Sequence, residues 1–463
     1  MQGETSPPII LRSGGRINMK PIFKEEKEFL ETKLGIDLPD GCWRSTTKIY
    51  LNHFDEKPFL TFKVIPLENK LVIKKYTEPT HKNYSLEEEY SFIKDGLESK
   101  IKECIAKTKE FTLQHKEHKM FVSISGGKDS DVMKYIVDQA FSELKSEGHD
   151  VSYNLIAFNT SNDSAETYKH LKQYHKMTKD NIISPSLGFY QWIKYKKNYF
   201  TPTKFVRNCC STYKEGQLTS VMDKKENTLT FLGMRSSESS KRNFYDFDLN
   251  EAYKQSDKKL ASPDNWKRFL PIVKWTDEEV WLFILKNKLQ YNKMYDLGFN
   301  RVGCLICCFQ HDYIDLLIRH YYPKQWSRWE DILSKGYEIY RIKKTLKWDI
   351  NEWTIGGKWK TAMSKESEII TRKATPERLN ALAELKGIST EMASKYFNKV
   401  CSCGKKLNPT EIAMYLKLTG RYEGVEDNRQ YLCKKCLCAY MNISSNEYKE
   451  KQIAFSEEGC NLF

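Results

Sequence analysis

Met120-Phe121-Val122-Ser123-Ile124-Ser125-Gly126-Gly127-Lys128-Asp129-Ser130 decides how the rest of the chain is read. Met120–Ile124 is a short apolar run of the kind buried in a parallel sheet, and it ends in two glycines. Beyond it, Val132, Tyr135, Ile136, Ala140 and Phe141 recur at helical spacing up to Leu144. A strand that runs through Gly-Gly into a helix has the makings of a phosphate cradle. Gly126 and Gly127 lack a Cβ, so main-chain N–H groups can approach phosphate oxygens, and the helix start adds the positive end of its dipole. Ser125 and Ser130 offer hydroxyl donors, with Ser123 on the same rim; Lys128 offers a point charge, and Asp129 a carboxylate to orient the loop or hold Mg²⁺. The spacing differs from the Gly-x-x-x-x-Gly-Lys-Ser/Thr loop of common nucleotide hydrolases. A serine-capped glycine turn without a ligand is the bland alternative; the order strand, loop, helix favours nucleotide.

Outward from this loop, Tyr153–Phe158 reads as a second strand, Ala165–Met177 as a second helix, and Leu229–Leu232 as a further strand ending at Gly233. Strands alternating with helices imply an α/β domain with a parallel sheet covered on both faces, over residues 116–310. Residues 1–19 read as a flexible arm with Pro7-Pro8 and Gly14-Gly15. Residues 20–84 read as a small α+β domain whose β-prone runs Thr47–Phe54, Phe59–Ile65 and Leu71–Tyr76 form an antiparallel meander. A polar helical connector is expected over 85–115, and a helical, basic and aromatic region over 311–398. A Cys-bearing module at 399–440 and a tail at 441–463 with Cys460 complete the chain.

At 463 residues the chain exceeds one compact core, so several domains are expected. Its 40% hydrophobic and 29% charged residues are ordinary for a soluble globular protein. No apolar run approaches the ~18 residues of a membrane span, and Met1–Lys20 shows no secretory apolar core. Thirteen cysteines without such a signal point to a reducing, cytoplasmic setting, where thiols bind metal more often than they pair as disulfides. The net charge of +14 suits a polyanionic partner such as nucleic acid, or equally a set of solvated lysine-rich faces. The run 320–348 can stack on and neutralise nucleic acid, or form an amphipathic helix pair.

Four further segments carry a family resemblance. These are Phe158-Asn159-Thr160; Gly233-Met234-Arg235-Ser236-Ser237-Glu238-Ser239-Ser240-Lys241-Arg242; Pro271-Ile272-Val273-Lys274-Trp275-Thr276-Asp277-Glu278-Glu279-Val280-Trp281; and Tyr291–Phe299 leading into Gly303-Cys304. With the loop, and in this order, they resemble the phosphoadenylyl-sulfate (PAPS) reductase family. That family is a branch of the ATP-pyrophosphatase-type adenine nucleotide α-hydrolase superfamily, with a Rossmann-like parallel sheet. The resemblance covers about 120 to 310, under half the chain. It implies that Phe158, Asn159 and Thr160 contact an adenine nucleotide and that Gly233, Arg235, Glu238 and Arg242 serve the same ligand. Arg235 and Arg242 suit phosphate or sulfate through their planar forks, with Glu238 fixing Arg235. Trp275 and Trp281 are expected simply to pack in the core.

Cys209-Cys210 with the distant Cys304-x-x-Cys307, followed by Cys308, is similar to the [4Fe–4S] ligand set of adenylyl-sulfate (APS) reductases. Four thiolates also suit Zn²⁺, although adjacent ligands sit awkwardly on one tetrahedral ion, and buried free cysteines are the plain alternative. Lys214 and Arg207 flank the pair and suit a bound anion. Cys401-x-Cys403 with Cys433-x-x-Cys436 reads as a zinc ribbon holding a structural Zn²⁺, with Cys438 as a substitute ligand. Reductases of the family keep a nucleophilic cysteine in a Glu-Cys-Gly tail; Cys460 resembles it loosely, because Gly459 precedes it.

Three functions follow as expectations. In the first, an ATP-dependent sulfurtransferase cleaves ATP to AMP and pyrophosphate to activate an acceptor, nucleic acid among the candidates, with a partner protein as sulfur donor. Lys128, Asp129 and Arg235 are then the catalytic residues. In the second, a [4Fe–4S] reductase releases sulfite from APS or PAPS, with Cys460 as nucleophile and a reductant protein as partner. The third is a non-catalytic nucleotide sensor in a nucleic-acid complex. The intact Gly-Gly-Lys-Asp favours the first, since the resemblance implies that members consuming ATP keep it. An oligomer is compatible with all three.

Overall fold

The computed structural model describes residues 19–204, 208–215, 217, 226–239, 242–256, 265–343, 348–361, 374–401, 403–419 and 431–457. β1 (Lys20–Pro21), β2 (Trp43–Ser45), β3 (Lys48–Tyr50), β4 (Leu60–Ile65) and β5 (Lys70–Tyr76) pair in chain order as an antiparallel sheet. The run expected as one strand over Thr47–Phe54 is shorter, because the chain turns after Tyr50; its partner β2 was hidden in Trp43–Ser45, too short to show alternation. α1 (Lys24–Leu34) is inserted between β1 and β2 and stops at Gly35, whose φ of 70° is the left-handed cap that glycine adopts without strain.

A buried charge cluster ties this sheet to the rest of its unit. Glu26 accepts from both Lys20 and Arg44, and Arg44 also donates to the Gly298 carbonyl at 2.6 Å and to Asn300 Oδ1 at 2.5 Å. Arg44 is fully buried, so each donor needs an acceptor, and its planar fork supplies the geometry to meet several at once.

α2 (Leu86–Gln114) starts at a capping box in which Ser85 and Glu88 satisfy each other's main chain. It is more than a polar connector: it packs on α3 (Lys128–Ser146) and on the helix Asp277–Lys286, burying Leu97, Cys104 and Phe111. Between them lies β6 (Lys119–Ser123). Then follow β7 (Asn154–Phe158), α4 (Ala165–Gln173), β8 (Ile182–Ile183), α5 (Phe189–Lys197), β9 (Thr228–Leu232) and β10 (Trp266–Phe269).

The second sheet has the order β10-β9-β6-β7-β8, and every pair is parallel. The chain builds outward from β6 to β8, then returns across the sheet to start β9 beside β6. Strand order therefore reverses between β6 and β9, and a crevice opens outside the carboxyl ends of those two strands. Ser123 pairs with Leu232, so the loops leaving both strands begin side by side. Val122, Ile124, Leu229 and Phe231 are buried in this sheet, and Trp275 and Trp281 are fully enclosed in the core beside it.

The chain divides into two units, Met1–Lys360 and Thr361–Phe463, so the span 311–398 is shared between them. Within the second unit the helices Pro376–Lys386 and Thr390–Phe397 bury Leu382, Ala383 and Ala393 around Ile388. The helices Pro409–Thr419, Lys434–Met441 and Ser445–Glu457 follow, with Met414, Tyr415, Leu437 and Tyr448 as a small core. Among the described residues, no helix is long and apolar enough to cross a membrane.

Candidate active site

The loop after β6 is held by its own groups. Ser130 Oγ donates to the Gly127 carbonyl at 2.7 Å, Ser125 Oγ accepts from the Gly127 N–H at 3.3 Å, and Tyr295 Oη accepts from the Lys128 N–H at 3.1 Å. Gly126 has φ of 75°, and its carbonyl accepts from Asn292 Nδ2 at 3.0 Å. The loop after β9 presses directly on it: a Cβ on Gly233 would lie 2.7 Å from the Asp129 carbonyl oxygen. Glycine at 233 is thus required by close backbone approach.

Four charges meet where these loops touch. Lys128 Nζ lies 2.9 Å from Asp129 Oδ2 and 2.8 Å from Asp277 Oδ1, while Arg235 Nε donates to Asp129 Oδ1 at 2.7 Å and its Nη2 to Asp277. Lys128, Arg235 and Asp277 are buried; Asp129 keeps 24% of its side chain exposed and is the most open of the four. Burial alone would strip Lys128 of its proton, but Asp129 and Asp277 outweigh it and hold its pKa above the ordinary lysine value. Arg235 is raised in the same way, and the carboxyl of Asp129 is lowered because Lys128 and Arg235 overcome its desolvation. Lys128 and Arg235, read from the sequence as direct phosphate ligands, are thus held here by carboxylates.

Sequence reasoning gave no role to Asp277. It sits in the acidic first turn Asp277-Glu278-Glu279 of a capped helix, where carboxylates ordinarily complement the helix dipole. Glu238 accepts from the Arg235 N–H at 2.9 Å and is paired with Arg242, so it fixes the Arg235 backbone and engages Arg242's guanidinium. Lys241, Ser240 and Arg207 lie outside the described residues, as does Cys460.

A cleft of about 200 Å³ is lined by Ser123 at the end of β6 and Ser125 of the loop after it, Phe158 at the end of β7 with Asn159 and Thr160, Tyr168 of α4, and Lys214 and Gly303; the four charged residues do not line it. Asp163 borders it and accepts from the Thr160 N–H at 2.8 Å; burial pushes its carboxyl upward. Phe158 ends β7 with Asn159 and Thr160 directly after it, and Ser123 ends β6, which brings these sequence candidates to one cleft.

The cysteines gather at the Lys214–Gly303 end. Cys304 Sγ is 3.6 Å from Thr160 Oγ1. The Cys304–Cys307 turn is fixed by the Leu305 N–H donating to the Asn162 carbonyl at 2.5 Å and by Asn162 Nδ2 donating to the Ile306 carbonyl at 2.8 Å. Gln310 clamps the same turn, donating to the Leu305 carbonyl and accepting from the Cys307 N–H. Opposite, Cys209 and Cys210 lie in a helical turn, Asn208–Cys210, anchored through Tyr213, whose hydroxyl donates to the Leu187 carbonyl at 2.8 Å.

The thiols act on one another across this gap. A hydrogen bond to Cys210 raises the Cys209 thiol, with burial adding to it and the charges of Cys304 and Cys308 behind. Cys308 is raised by donating to Cys307. That same bond pulls Cys307 down to about 5 despite burial, helped by Arg301 and Lys214. Burial raises Cys304, which Lys214 counters.

In the second unit, Cys401, Cys403, Cys433 and Cys436 place their sulfurs within 4.8 Å of one another. A Val400–Lys406 bridge closes the first knuckle, with Gly404 at φ of 85°, and Cys433 caps the helix Lys434–Met441 that carries Cys436. Four thiols so placed fit a single ion and leave no open position. Cys438, considered as a substitute, turns to the Ser444 carbonyl at 3.9 Å. Among the described residues the other group this tight is Asp131, His170 and His175; the cysteines beside the cleft are spread more widely.

The sequence profile of the phosphoadenosine phosphosulfate reductase domain matches residues 119–310. An uncharacterized protein of Methanocaldococcus jannaschii is 26% identical over 249 residues, covering 53% of this chain and 56% of its own length. The adenosine 5'-phosphosulfate reductase of Shouchella clausii is 24% identical over 178 residues, 36% of this chain and 63% of that protein. The chain thus spans about half the length of the first of these relatives. Among solved structures, the U34-tRNA thiolase NcsA of Methanococcus maripaludis with its [4Fe–4S] cluster aligns with a TM-score of 0.30 at 16% identity, over 59% of this chain and 88% of that one.

Proposed function

We propose that this chain, whose residues 119–310 match the phosphoadenosine phosphosulfate reductase domain, is an ATP-consuming sulfurtransferase. The observation that carries the proposal is the charge quartet, which lies where the loops after β6 and β9 meet; the first of these loops also supplies Ser125 to a cleft whose lining includes Gly303, next to Cys304. A substrate lacking a polyphosphate has little use for a glycine loop, a buried Lys128 and a buried Arg235 converging on one point. Asp129 is the most open carboxylate of the quartet and so fits a Mg²⁺ carried in by the nucleotide. Asp129 would hold such an ion, Lys128 and Arg235 would bind the phosphates, and Asp277 would keep both cations in place. Fixed positive charge then stabilises the pyrophosphate as it departs.

The acceptor's oxygen bonds to the α-phosphorus, and the electron pair of the α–β bridge leaves with pyrophosphate. Hydrosulfide, released at the sulfide level by a donor protein, next bonds to the acceptor carbon through its sulfur, and AMP leaves with the oxygen. The net charge of +14 favours a nucleic acid as acceptor. Cys209, Cys210, Cys304 and either Cys307 or Cys308 would hold a [4Fe–4S] cluster, whose chemistry is to bind or relay sulfur beside the cleft. Their spread, wider than one ion spans, fits a cluster better than a lone Zn²⁺.

Reduction of adenylyl sulfate is the second reading, favoured by relatives named as adenosine 5'-phosphosulfate reductases. One assay separates the two. Anaerobically reconstituted protein is given α-labelled ATP with candidate acceptors in one arm and APS or PAPS with a thiol reductant in the other. AMP and pyrophosphate formation, falling at least ~100-fold in a folded Asp129→Ala protein, supports the transferase. Sulfite release without ATP consumption overturns it.

A further inference from the structure

Asp131 stands two residues after Asp129 on α3, yet its surroundings differ completely. Asp129 has Lys128 and Arg235; the partners of Asp131 are two imidazoles. His170 Nε2, from α4, lies 3.0 Å from Asp131 Oδ2, and His175 Nε2, just beyond α4, lies 2.8 Å from Oδ1. Asp131, His170 and His175 are all buried, and among the described residues no lysine or arginine pairs with this carboxylate. Tyr174 packs against both rings, at 5.0 Å from His170 and 4.6 Å from His175, and the imidazoles meet edge to face at 5.1 Å.

We propose that Asp131, His170 and His175 bind one divalent transition-metal ion of the zinc type, at a site separate from both cysteine groups. The three side chains converge in the interior, where no lysine or arginine among the described residues meets the carboxylate, and a cation held between the three donors would supply that partner. The donor set, two nitrogens and one oxygen, is the set zinc and its first-row neighbours take, whereas Mg²⁺ and Ca²⁺ prefer oxygen alone. The geometry is close to ready. The three ligand atoms lie within 4.8 Å of one another. Donors at ~2.0–2.1 Å from a tetrahedral ion stand about 3.3 Å apart, so the pairs at 2.8 and 3.0 Å need to open by only a few tenths of an ångström.

The ion would pin α4 to the first turns of α3. α4 presents Tyr168 and Leu171 to the cleft, and α3 starts in the phosphate loop, so the site would set the width of the nucleotide cleft from behind. Such an ion would brace the cleft whichever reaction takes place there.

The test is zinc K-edge absorption on the full-length protein loaded with Zn²⁺ alone, paired with metal counts on His170→Gln, His175→Gln and Cys433→Ser proteins. The wild type should show a mixed first shell, sulfur at about 2.3 Å and nitrogen or oxygen at about 2.0–2.1 Å. Each histidine variant should lose one zinc equivalent and the shorter shell while keeping the sulfur shell; Cys433→Ser should do the reverse. A first shell of sulfur alone in the wild type, or a zinc count unchanged by both histidine substitutions, overturns the proposal. The wild-type spectrum decides even where a variant fails to fold.

Discussion

The chain holds two cysteine groups, and they solve different problems. In the second unit, Cys401, Cys403, Cys433 and Cys436 come from a knuckle and a helix start, and their sulfurs close within 4.8 Å. Cys401 and Cys433 are themselves core residues there, packed with Leu407. Beside the cleft, Cys209 and Cys210 face Cys304, Cys307 and Cys308 from separate segments, more widely spread, with Lys214 bordering the cleft at the same end. The first arrangement could hold one ion, with its four sulfurs leaving no open position for a substrate. The second draws on two distant segments and adjoins the cleft through Gly303, next to Cys304, and Lys214. Compactness suits a metal that holds the fold; spread suits a cofactor that takes part in chemistry.

The comparison breaks most visibly if one cysteine is removed from each group. Cys433→Ser should cost the second unit its metal and, with it, the fold around Leu407 and Met414. A structural zinc contributes apparent binding energies of roughly 10–16 kcal/mol, and the cores here are small. Amide exchange should become fast throughout 399–457 while the first unit keeps its protection. Cys304→Ser should produce a milder result in stability and a harsher one in chemistry: iron and acid-labile sulfide lost, zinc retained, and the unfolding midpoint shifted by only a few degrees. If Cys304→Ser unfolded the first unit as completely as Cys433→Ser unfolds the second, the contrast between fold-holding and working cysteines would be wrong.

How far the sequence disclosed this arrangement differed by element. The strand, loop and helix from Met120 to Leu144 were legible because apolar spacing changes period at two glycines. Parallel pairing followed from alternation, but strand order did not: nothing local in Thr228–Leu232 says that it lies beside β6 and not beyond β8. α2 read as a connector because Glu and Lys crowd it, although Leu86, Tyr90, Ile93, Leu97, Ile101 and Cys104 recur at three- and four-residue spacing and, with Phe111, form a core stripe that the sequence did carry. Asp277 and Asp131 were missed for a shared reason. Each sits near a helix start, where a carboxylate needs no further explanation, and its partners arrive from far along the chain: Lys128 and Arg235 for one, His170 and His175 for the other.

A finer difference lies in the thiols themselves. Cys307 is held down at about 5 by the hydrogen bond from Cys308, against burial, with Arg301 and Lys214 adding to the effect. Cys436 is pushed up to about 12 by its hydrogen bond to Cys433 and by desolvation. Alkylation follows the thiolate fraction. A thiol with its pKa below the working range is already ionised there, so its rate stays flat. One with its pKa far above gains about tenfold in thiolate per pH unit. In metal-free, reduced protein treated with iodoacetamide, labelling of Cys307 should therefore change less than about twofold between roughly pH 6.5 and 8.5, and labelling of Cys436 should rise about 100-fold. Site-resolved peptide mass spectrometry measures both in one sample. Parallel pH profiles would show that the cleft confers no special ionisation on its cysteines, and that the two groups differ in spacing alone.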